Sequence, residues 1–231
     1  MTIRGLLFDI DDTLIDYSGT ARTGILRHLT AEGLLDRFAS PDEAVALWRE
    51  IEEREYPRFL AGELTFTGQQ QVRTAMFLDH IGASTEDAEA WFARYASRRD
   101  TAWTTFPDVL PAFQRFAGRV GLGVVSNASL DYQTGKLYTV GLLHHFGENI
   151  LCSSEFGAAK PDPSIFLAGC DLLGLSPHEV GFVGDRYDVD ALGARDAGLQ
   201  AYWLDRESLG RAPEAGVTII HSLDELAATL N

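Results

Sequence analysis

The chain has 231 residues, 45% of them hydrophobic, and a formal net charge of -15. This composition fits one α/β domain, or a core domain carrying a smaller insertion, and it excludes intrinsic disorder. The acidic charge excludes general binding to nucleic acid or to an anionic membrane, because both need a basic surface. We therefore expect partners that are small molecules, and the sequence does not predict an oligomeric state.

Targeting and redox signals are also missing from the sequence. No stretch approaches the roughly 18 consecutive apolar residues of a membrane span, and the first residues lack a signal-peptide pattern. Cys152 and Cys170 are the only cysteines, too few for a disulfide framework. We expect a soluble, cytoplasmic protein.

The first element is a buried strand that ends in carboxylates. Residues 3–8 are mostly apolar, which is typical of a parallel strand covered on both faces. Asp9, Asp11, Asp12 and then Thr13 follow. Three carboxylates within four residues repel one another, so the pattern favours a cation or phosphate chemistry. A solvated turn gives the same pattern, since Asp is common in turns.

The chain from residue 16 to residue 100 is helical in pattern and contains no convincing strand. Ala21, Ile25 and Leu29 have helical spacing. Ser40 and Glu43 form a capping-box signature at the start of a second helix. This stretch therefore predicts a helical insertion between the first strand and the next one.

The second half alternates strands and helices. A strand over 120–125 leads to Ser126 and Asn127, and a helix around Lys136 follows. Later elements are a short strand at 149–152, the loop GAAKPDP with Lys160, a strand that ends at Gly184 and Asp185, a small-residue helix, the strands AYWL and VTII, and a helix capped by Ser222 and Glu225. The alternation predicts a parallel, doubly wound sheet.

Polar side chains recur where the predicted strands end. Ligands of open parallel sheets bind beyond the carboxyl ends of the strands. The residues found there are Asp9, Asp11, Ser126, Asn127, Lys160, Asp185 and Asp190. Taken singly, each has an ordinary explanation as a turn residue, an exposed lysine or a helix cap. Their order along the chain points instead to one site.

In this order the residues resemble the four motifs of the haloacid dehalogenase superfamily. The motifs are DIDDT at Asp9–Thr13, Ser126-Asn127, Lys160-Pro161-Asp162 and GDRYDVD at Gly184–Asp190. The resemblance implies a Rossmann-like core of residues 1–15 and 101–231. It also implies that residues 16–100 are an inserted all-helical cap domain.

The resemblance also implies roles for single residues. Asp9 is expected to be the nucleophile, and Asp11 the acid and base that serves the leaving oxygen and then the water. Mg²⁺ would be held by Asp9, by the backbone carbonyl of Asp11 and by Asp185. Asp190 is expected to orient Lys160 or a metal-bound water.

The substrate contacts come from other motifs. Ser126 and the amide of Asn127 are expected to hold the phosphoryl oxygens, and Lys160 to balance the charge of nucleophile and phosphate. Thr13 would steady the loop. Arg22, just after the predicted entry to the cap, is the first choice for a contact to the leaving group.

The implied activity is a Mg-dependent phosphatase acting on a small phosphorylated metabolite, such as a nucleotide or sugar phosphate. Superfamily dehalogenases lack an acid two residues after the nucleophile, whereas this chain has Asp11. A phosphomutase shares both carboxylates and stays open as an alternative. A receiver-like signalling module uses similar residues, but receivers are about half this length. The substrate itself cannot be deduced, because cap residues follow no transferable code.

Overall fold

The structure is a computed structural model that describes residues 2–229. The chain divides into two compact units, one formed by residues 17–103 and the other by the chain before and after them. Across the described residues, no helix combines the length and the apolar character needed to cross a bilayer.

The α/β unit is built on one six-stranded sheet in which all neighbouring strands are parallel. The order of the strands across the sheet is β3-β2-β1-β4-β5-β6. The predicted fold class, a doubly wound parallel sheet of Rossmann type, is confirmed. The strands are β1 (Gly5–Phe8), β2 (Gly121–Ser126), β3 (Ile150–Cys152), β4 (Val180–Gly184), β5 (Gln200–Leu204) and β6 (Val217–Ile220).

Successive side chains of the central strands point to opposite sides of the sheet, so both faces are apolar and both are covered. Phe8 of β1 packs against the rings of Phe113 and Phe116. Leu7, its neighbour, belongs to the cluster on the other face, which includes Phe166. The flanking helices are α5 (Val109–Phe116), α6 (Leu130–Thr139), α7 (Ser153–Phe156), α8 (Pro163–Leu173), α9 (Leu192–Asp196) and α10 (Leu223–Thr229), and a π-turn (Tyr187–Ala191) precedes α9.

The second unit consists of helices around an aromatic core. Trp48, Phe77, Trp91 and Tyr95 form the centre of this core. Ser40 caps the second helix as the sequence predicts, since its hydroxyl accepts the N–H of Glu43. The four α-helices of this unit precede α5 in the chain. They are α1 (Tyr17–Ala31), α2 (Pro41–Leu60), α3 (Phe66–His80) and α4 (Ala88–Arg99).

His28 is a buried titratable group of this helical unit. Its Nδ1 lies 2.7 Å from Nη1 of Arg98. Because a guanidinium only donates, Nδ1 must accept, so the ring is neutral with its proton on Nε2. Burial lowers the pKa of His28 to about 4; Arg98 and Arg94 act in the same direction, while Glu32 opposes them.

His28 should make the stability of the chain depend on pH. The folded pKa lies below the unfolded one, so the unfolded chain takes up a proton first as the pH falls. We expect the free energy of unfolding to decrease by about 1–3 kcal/mol between about pH 6.5 and about pH 4. Urea denaturation across this pH range should show that the free energy of unfolding depends less on pH in His28→Phe than in the wild type.

The exposed His80 on α3 offers the matched control for this measurement. His80→Phe should keep the wild-type pH profile of unfolding. A His28→Phe profile parallel to that of the wild type would contradict the assignment of this pH dependence to His28.

Candidate active site

Three adjacent strands, β2, β1 and β4, carry the central polar residues of the site at their carboxyl ends. Asp9 directly follows β1, and its N–H donates to the carbonyl of Val183 at 2.9 Å, which extends the pairing of β1 with β4. Asp185 directly follows β4, and Ser126 is the last residue of β2. Parallel strands end at the same edge of the sheet, so these residues lie along that edge.

The strand order also marks where a ligand can enter. From β1 the chain builds outward to β2 and β3, and it then returns to place β4 on the other side of β1. In doubly wound sheets such a reversal leaves a crevice at the carboxyl ends of the two strands concerned. Asp9 and Asp185 flank this switch point.

Lys160 joins the first and last motifs through two buried ion pairs. Its Nζ lies 2.7 Å from Asp9 Oδ1 and 2.7 Å from Asp190 Oδ1. All three residues are buried. Lys160 therefore contacts Asp190, and the role of Asp190 in orienting Lys160 or a metal-bound water stays a prediction.

Burial sets the protonation of this cluster. It raises the pKa of Asp9 to about 7, with Lys160 lowering it and Asp190 and Asp11 raising it further. Burial lowers the pKa of Lys160, but the carboxylates of Asp190 and Asp9 outweigh this and hold it above its ordinary value. Lys160 is therefore a permanent cation beside Asp9.

Asp185 is held by Thr13 from the loop after β1 and by Trp203 from β5. Thr13 Oγ1 donates to Asp185 Oδ1 at 3.3 Å and accepts the N–H of Asp185 at 3.1 Å. The indole N–H of Trp203 donates to the carbonyl of Asp185 at 2.8 Å. Burial, followed by the charges of Asp190 and Asp9, raises the pKa of Asp185 well above its ordinary value.

The carboxylates of Asp9, Asp185 and Asp190 can share a cation. Each offers an oxygen, and these three oxygens lie within 4.8 Å of one another. Hard carboxylate oxygens suit Mg²⁺. Burial, together with the neighbouring carboxylates, raises the pKa of Asp9 and of Asp185, and a bound cation would oppose this effect. The residues therefore fit the predicted ion, with Asp190 present in addition to the predicted set.

Asp11 has different partners from Asp9 although it lies only two residues away. Lys136 forms an ion pair with Asp11 Oδ1. Gln133 Nε2 donates to Asp11 Oδ2 at 3.0 Å. Asp11 is half-buried, whereas Asp9 is buried. The two carboxylates therefore have distinct environments, which two distinct chemical roles require.

The second motif divides its contacts between two neighbours. Asn127 Oδ1 accepts the backbone N–H of Lys160 at 2.8 Å, and its Nδ2 donates to the backbone carbonyl of Lys160 at 2.9 Å. This pair of bonds fixes the loop that carries Lys160. Ser126 Oγ accepts from Gln133 Nε2 at 2.8 Å. Phosphate binding by Ser126 and Asn127 stays a prediction.

Gly184 allows Asp190 to approach the end of β4. A Cβ at Gly184 would lie 2.4 Å from the carboxylate carbon of Asp190, closer than any side chain could tolerate. The N–H of Arg186 also donates to Asp190 Oδ2 at 3.0 Å. The glycine in the fourth motif thus makes room for the aspartate six residues later.

Four residues that sequence reasoning left without a role contribute to the site region. Lys136 and Gln133 bind Asp11. Arg206 donates to the carbonyl of Thr13 at 2.8 Å and so holds the loop after β1. Asp12 adopts a φ of 55°, a left-handed conformation that Asp tolerates better than most residues.

One sequence signal could have identified Lys136. Lysine occurs only twice in the chain, at Lys136 and Lys160, and arginine supplies the other basic residues. Both lysines are 2% exposed, and each pairs with a carboxylate of the first motif. Buried lysines are rare unless they are paired.

Arg22, predicted to contact the substrate, lies on α1 in the helical unit. Its side chain is 48% exposed, and Nη2 lies 2.6 Å from Oδ1 of Asp42. The role assigned to Arg22 stays a prediction.

The chain belongs to the haloacid dehalogenase-like hydrolase family, whose sequence model matches residues 3–198. It is 33% identical to the glyceraldehyde 3-phosphate phosphatase of Methanopyrus kandleri over 85% of this chain and 82% of that protein. It is 34% identical to the phosphoserine phosphatase of Thermus thermophilus over 81% of this chain and 69% of that protein. The predicted family and enzyme class, a phosphoric monoester hydrolase of this superfamily, are confirmed.

Solved structures with the same fold include the HAD-hydrolase YfnB from Bacillus subtilis, which is bound to magnesium. The TM-score is 0.86 at 21% identity, and 100% of this chain and 99% of that chain are covered. A 2-haloacid dehalogenase from Pseudomonas syringae pv. Tomato has a TM-score of 0.69 at 27% identity, covering 99% of this chain and 98% of that one. A dehalogenase therefore has the same fold, whereas the two relatives named above are phosphatases, so the reaction must be argued from the site.

Proposed function

We propose that the protein is a Mg²⁺-dependent phosphatase that hydrolyses a small phosphorylated metabolite through an aspartyl-phosphate on Asp9. The observation that carries this proposal is the buried carboxylate of Asp9, which is held by Lys160 and lies in the same cluster as Asp185 and Asp190. The second carboxylate, Asp11, has a separate set of partners and is suited to proton transfer. The phosphatase relatives support hydrolysis of a small phosphorylated metabolite.

The first half-reaction transfers the phosphoryl group to the enzyme. An oxygen of Asp9 attacks phosphorus, the bond from phosphorus to the leaving oxygen breaks, and Asp11 gives that oxygen a proton. Lys160 stays charged throughout and offsets the charge of the phosphoryl group. Ser126 and Asn127 bind the phosphoryl oxygens.

The second half-reaction releases inorganic phosphate. Asp11, now a carboxylate, takes a proton from water as the water oxygen attacks phosphorus, and the bond from phosphorus to Asp9 breaks. Asp9 and the protonated Asp11 are thereby restored. Mg²⁺ would be held by Asp9, the backbone carbonyl of Asp11, Asp185 and Asp190, and it would supply positive charge that offsets the charge of the phosphoryl group.

The two alternative reactions, dehalogenation and phosphoryl transfer by a mutase, differ from phosphatase chemistry in their use of Asp11 or in their product. A dehalogenase reaction has no leaving oxygen to protonate, so it gives Asp11 no function. A phosphomutase would use both carboxylates but would pass the phosphoryl group to a second hydroxyl of the substrate rather than to water. Only a phosphatase releases inorganic phosphate stoichiometrically from a monoester.

The test is a screen of phosphate release with excess Mg²⁺ and with a chelator. The panel should contain an aryl phosphate, glyceraldehyde 3-phosphate, phosphoserine, sugar phosphates and nucleoside monophosphates, and a 2-haloacid should be assayed for halide release. We expect Mg²⁺-dependent phosphate release and no halide. Halide release without phosphate release, or full activity in the chelator, would refute the proposal.

The helical unit is proposed to act as the cap that selects the substrate, and Arg22 is proposed to bind the leaving group. Arg22→Ala should then raise KM for the substrate found by the screen and leave aryl phosphate hydrolysis unchanged, because only leaving-group binding is lost. Steady-state kinetics of both substrates measure this difference. Arg49, in an exposed ion pair with Glu53, offers the matched control Arg49→Ala. Equal KM values for Arg22→Ala and Arg49→Ala would contradict the role of Arg22.

A further inference from the structure

Two side chains of α6 hold the carboxylate of Asp11 from one side. Lys136 pairs with Oδ1, and Gln133 donates to Oδ2 at 3.0 Å. The two residues are three positions apart, so they project from the same face of the helix. Each carboxylate oxygen therefore has its own donor, which restricts both rotation and tilt of the carboxylate plane.

Both donors are themselves fixed by burial and further contacts. Gln133 is 0% exposed and Lys136 is 2% exposed. The amide nitrogen of Gln133 also donates to Ser126 Oγ at 2.8 Å. The ammonium group of Lys136 lies 4.7 Å from the centre of the Tyr132 ring. A side chain with this many constraints can hold a partner in one place.

The charges around Asp11 make such a restraint necessary. Asp9 lies close enough to interact with the charge of Asp11, and Asp185 and Asp190 lie close to Asp9; a carboxylate among like charges is driven towards solvent. Asp11 is half-buried, so it has room to turn away. Lys160 is already engaged by Asp9 and Asp190. Lys136 supplies the separate positive charge that keeps Asp11 at the site.

We infer that Gln133 and Lys136 are positioning residues that hold Asp11 in the orientation needed for proton transfer, and that Gln133 couples this orientation to Ser126. The inference rests on the proposed function, because Asp11 is assigned proton transfer there. Proton transfer needs heavy atoms within hydrogen-bonding reach, and a small displacement of the acid lowers the rate. Gln133 thus links the residue that moves the proton with a residue proposed to bind the phosphoryl group.

The test is the dependence of kcat/KM on the leaving group, because kcat/KM reports the first half-reaction, whereas the second half-reaction is the same for every ester. Lys136→Met keeps the length of the side chain and removes the charge, so Asp11 loses one of its two restraints. We expect kcat/KM for an alkyl phosphate to decrease about tenfold to about a hundredfold, the range for loss of a residue that acts through its neighbour. With nitrophenyl phosphate, whose leaving group needs little protonation, the decrease should be smaller. Gln133→Leu should show the same pattern, and Lys136→Arg should recover part of the rate.

A double-mutant cycle with Asp11→Asn identifies the residue through which Lys136 acts. If Lys136 works only by positioning Asp11, Lys136→Met should lower kcat/KM by less than about twofold in the Asp11→Asn background. Tyr138→Ala alters the same helix at a residue that is 75% exposed and should leave all rates unchanged. A full further loss in the double variant, or equal losses on both esters, would overturn the inference.

A second double-mutant cycle measures stability and therefore requires no catalytic activity. The urea midpoints of Asp11→Asn, Lys136→Met and the double variant should be non-additive, because the two side chains touch. Additive midpoints would overturn the inference by showing that the contact contributes nothing in solution. Failure of the proposed function would give a different result from failure of this inference. The wild type and Asp9→Asn would then release equally little phosphate. The role of Asp11 in proton transfer would be overturned in that case, whatever the urea midpoints show.

Discussion

Asp9→Asn should abolish phosphate release almost completely while leaving the protein folded. The amide keeps the size of the side chain but has no anionic oxygen to attack phosphorus, so no aspartyl-phosphate can form. We expect kcat to decrease by roughly 10⁴-fold or more, the scale seen when a nucleophile is removed. The measurement is release of inorganic phosphate from an aryl phosphate with saturating Mg²⁺. Acid quenching should also trap labelled phosphate on the wild type and none on the variant.

The control for Asp9→Asn is another aspartate-to-asparagine change near the site. Asp188 lies between Asp185 and Asp190 in sequence, but its side chain is 71% exposed and pairs with Arg211. Asp188→Asn should keep wild-type kcat. Phosphate release by Asp9→Asn at a rate close to that of Asp188→Asn would exclude Asp9 as the nucleophile.

Lys160→Met should produce the second large loss. The buried ammonium group is the cation beside Asp9, and its removal leaves the carboxylates of Asp9 and Asp190 facing each other without it. We expect kcat to decrease by about 10²- to 10³-fold, as for the loss of a preorganised electrostatic contact. The pH profile of kcat/KM should change as well.

The direction of the pH change follows from the charges. Lys160 lowers the pKa of Asp9, which burial raises to about 7, so removing Lys160 raises this pKa further. Asp9 must be ionised to attack, and the acidic limb of kcat/KM should therefore move to higher pH in Lys160→Met. Lys160→Arg keeps the positive charge and should restore most of the wild-type position of this limb. A limb that does not move in Lys160→Met would show that Lys160 acts elsewhere in the reaction.

The sequence predicts the strand ends well because the relevant signals are local. An apolar run followed by Asp9, and another followed by Asp185, mark where strands stop. The boundary of β2 differs by one residue: the strand includes Ser126, whereas the sequence predicts its end at Val125. Ser126 is buried like the rest of the strand end, and a small hydroxyl residue is compatible with either assignment.

The order of the strands cannot be deduced in the same way. Alternation of strands and helices predicts parallel pairing and right-handed crossovers. It does not determine that β4 lies beside β1 instead of beside β3, because either arrangement buries the same apolar residues. The crevice between Asp9 and Asp185 therefore becomes visible only in the structure.

The contacts of Asp11 cannot be predicted from the sequence for a similar reason. Lys136 and Gln133 lie 125 and 122 positions after Asp11 in the sequence. Polar residues three apart on a helix usually face solvent, so their spacing gives no hint of burial. The conformation of Asp12 is equally invisible, because no sequence pattern requires the φ of 55° observed there.

Because lysine is scarce in this chain, cleavage by a lysine-specific protease can measure the local unfolding of α6. A protease that cuts after lysine meets only two residues, and Pro161 blocks the bond after Lys160. The remaining bond, between Lys136 and Leu137, lies inside a hydrogen-bonded helix with both side chains buried. Cleavage of the folded chain into residues 1–136 and 137–231 therefore requires α6 to unfold locally. When reclosing is fast, the cleavage rate measures the free energy of that opening, at the helix that holds Asp11.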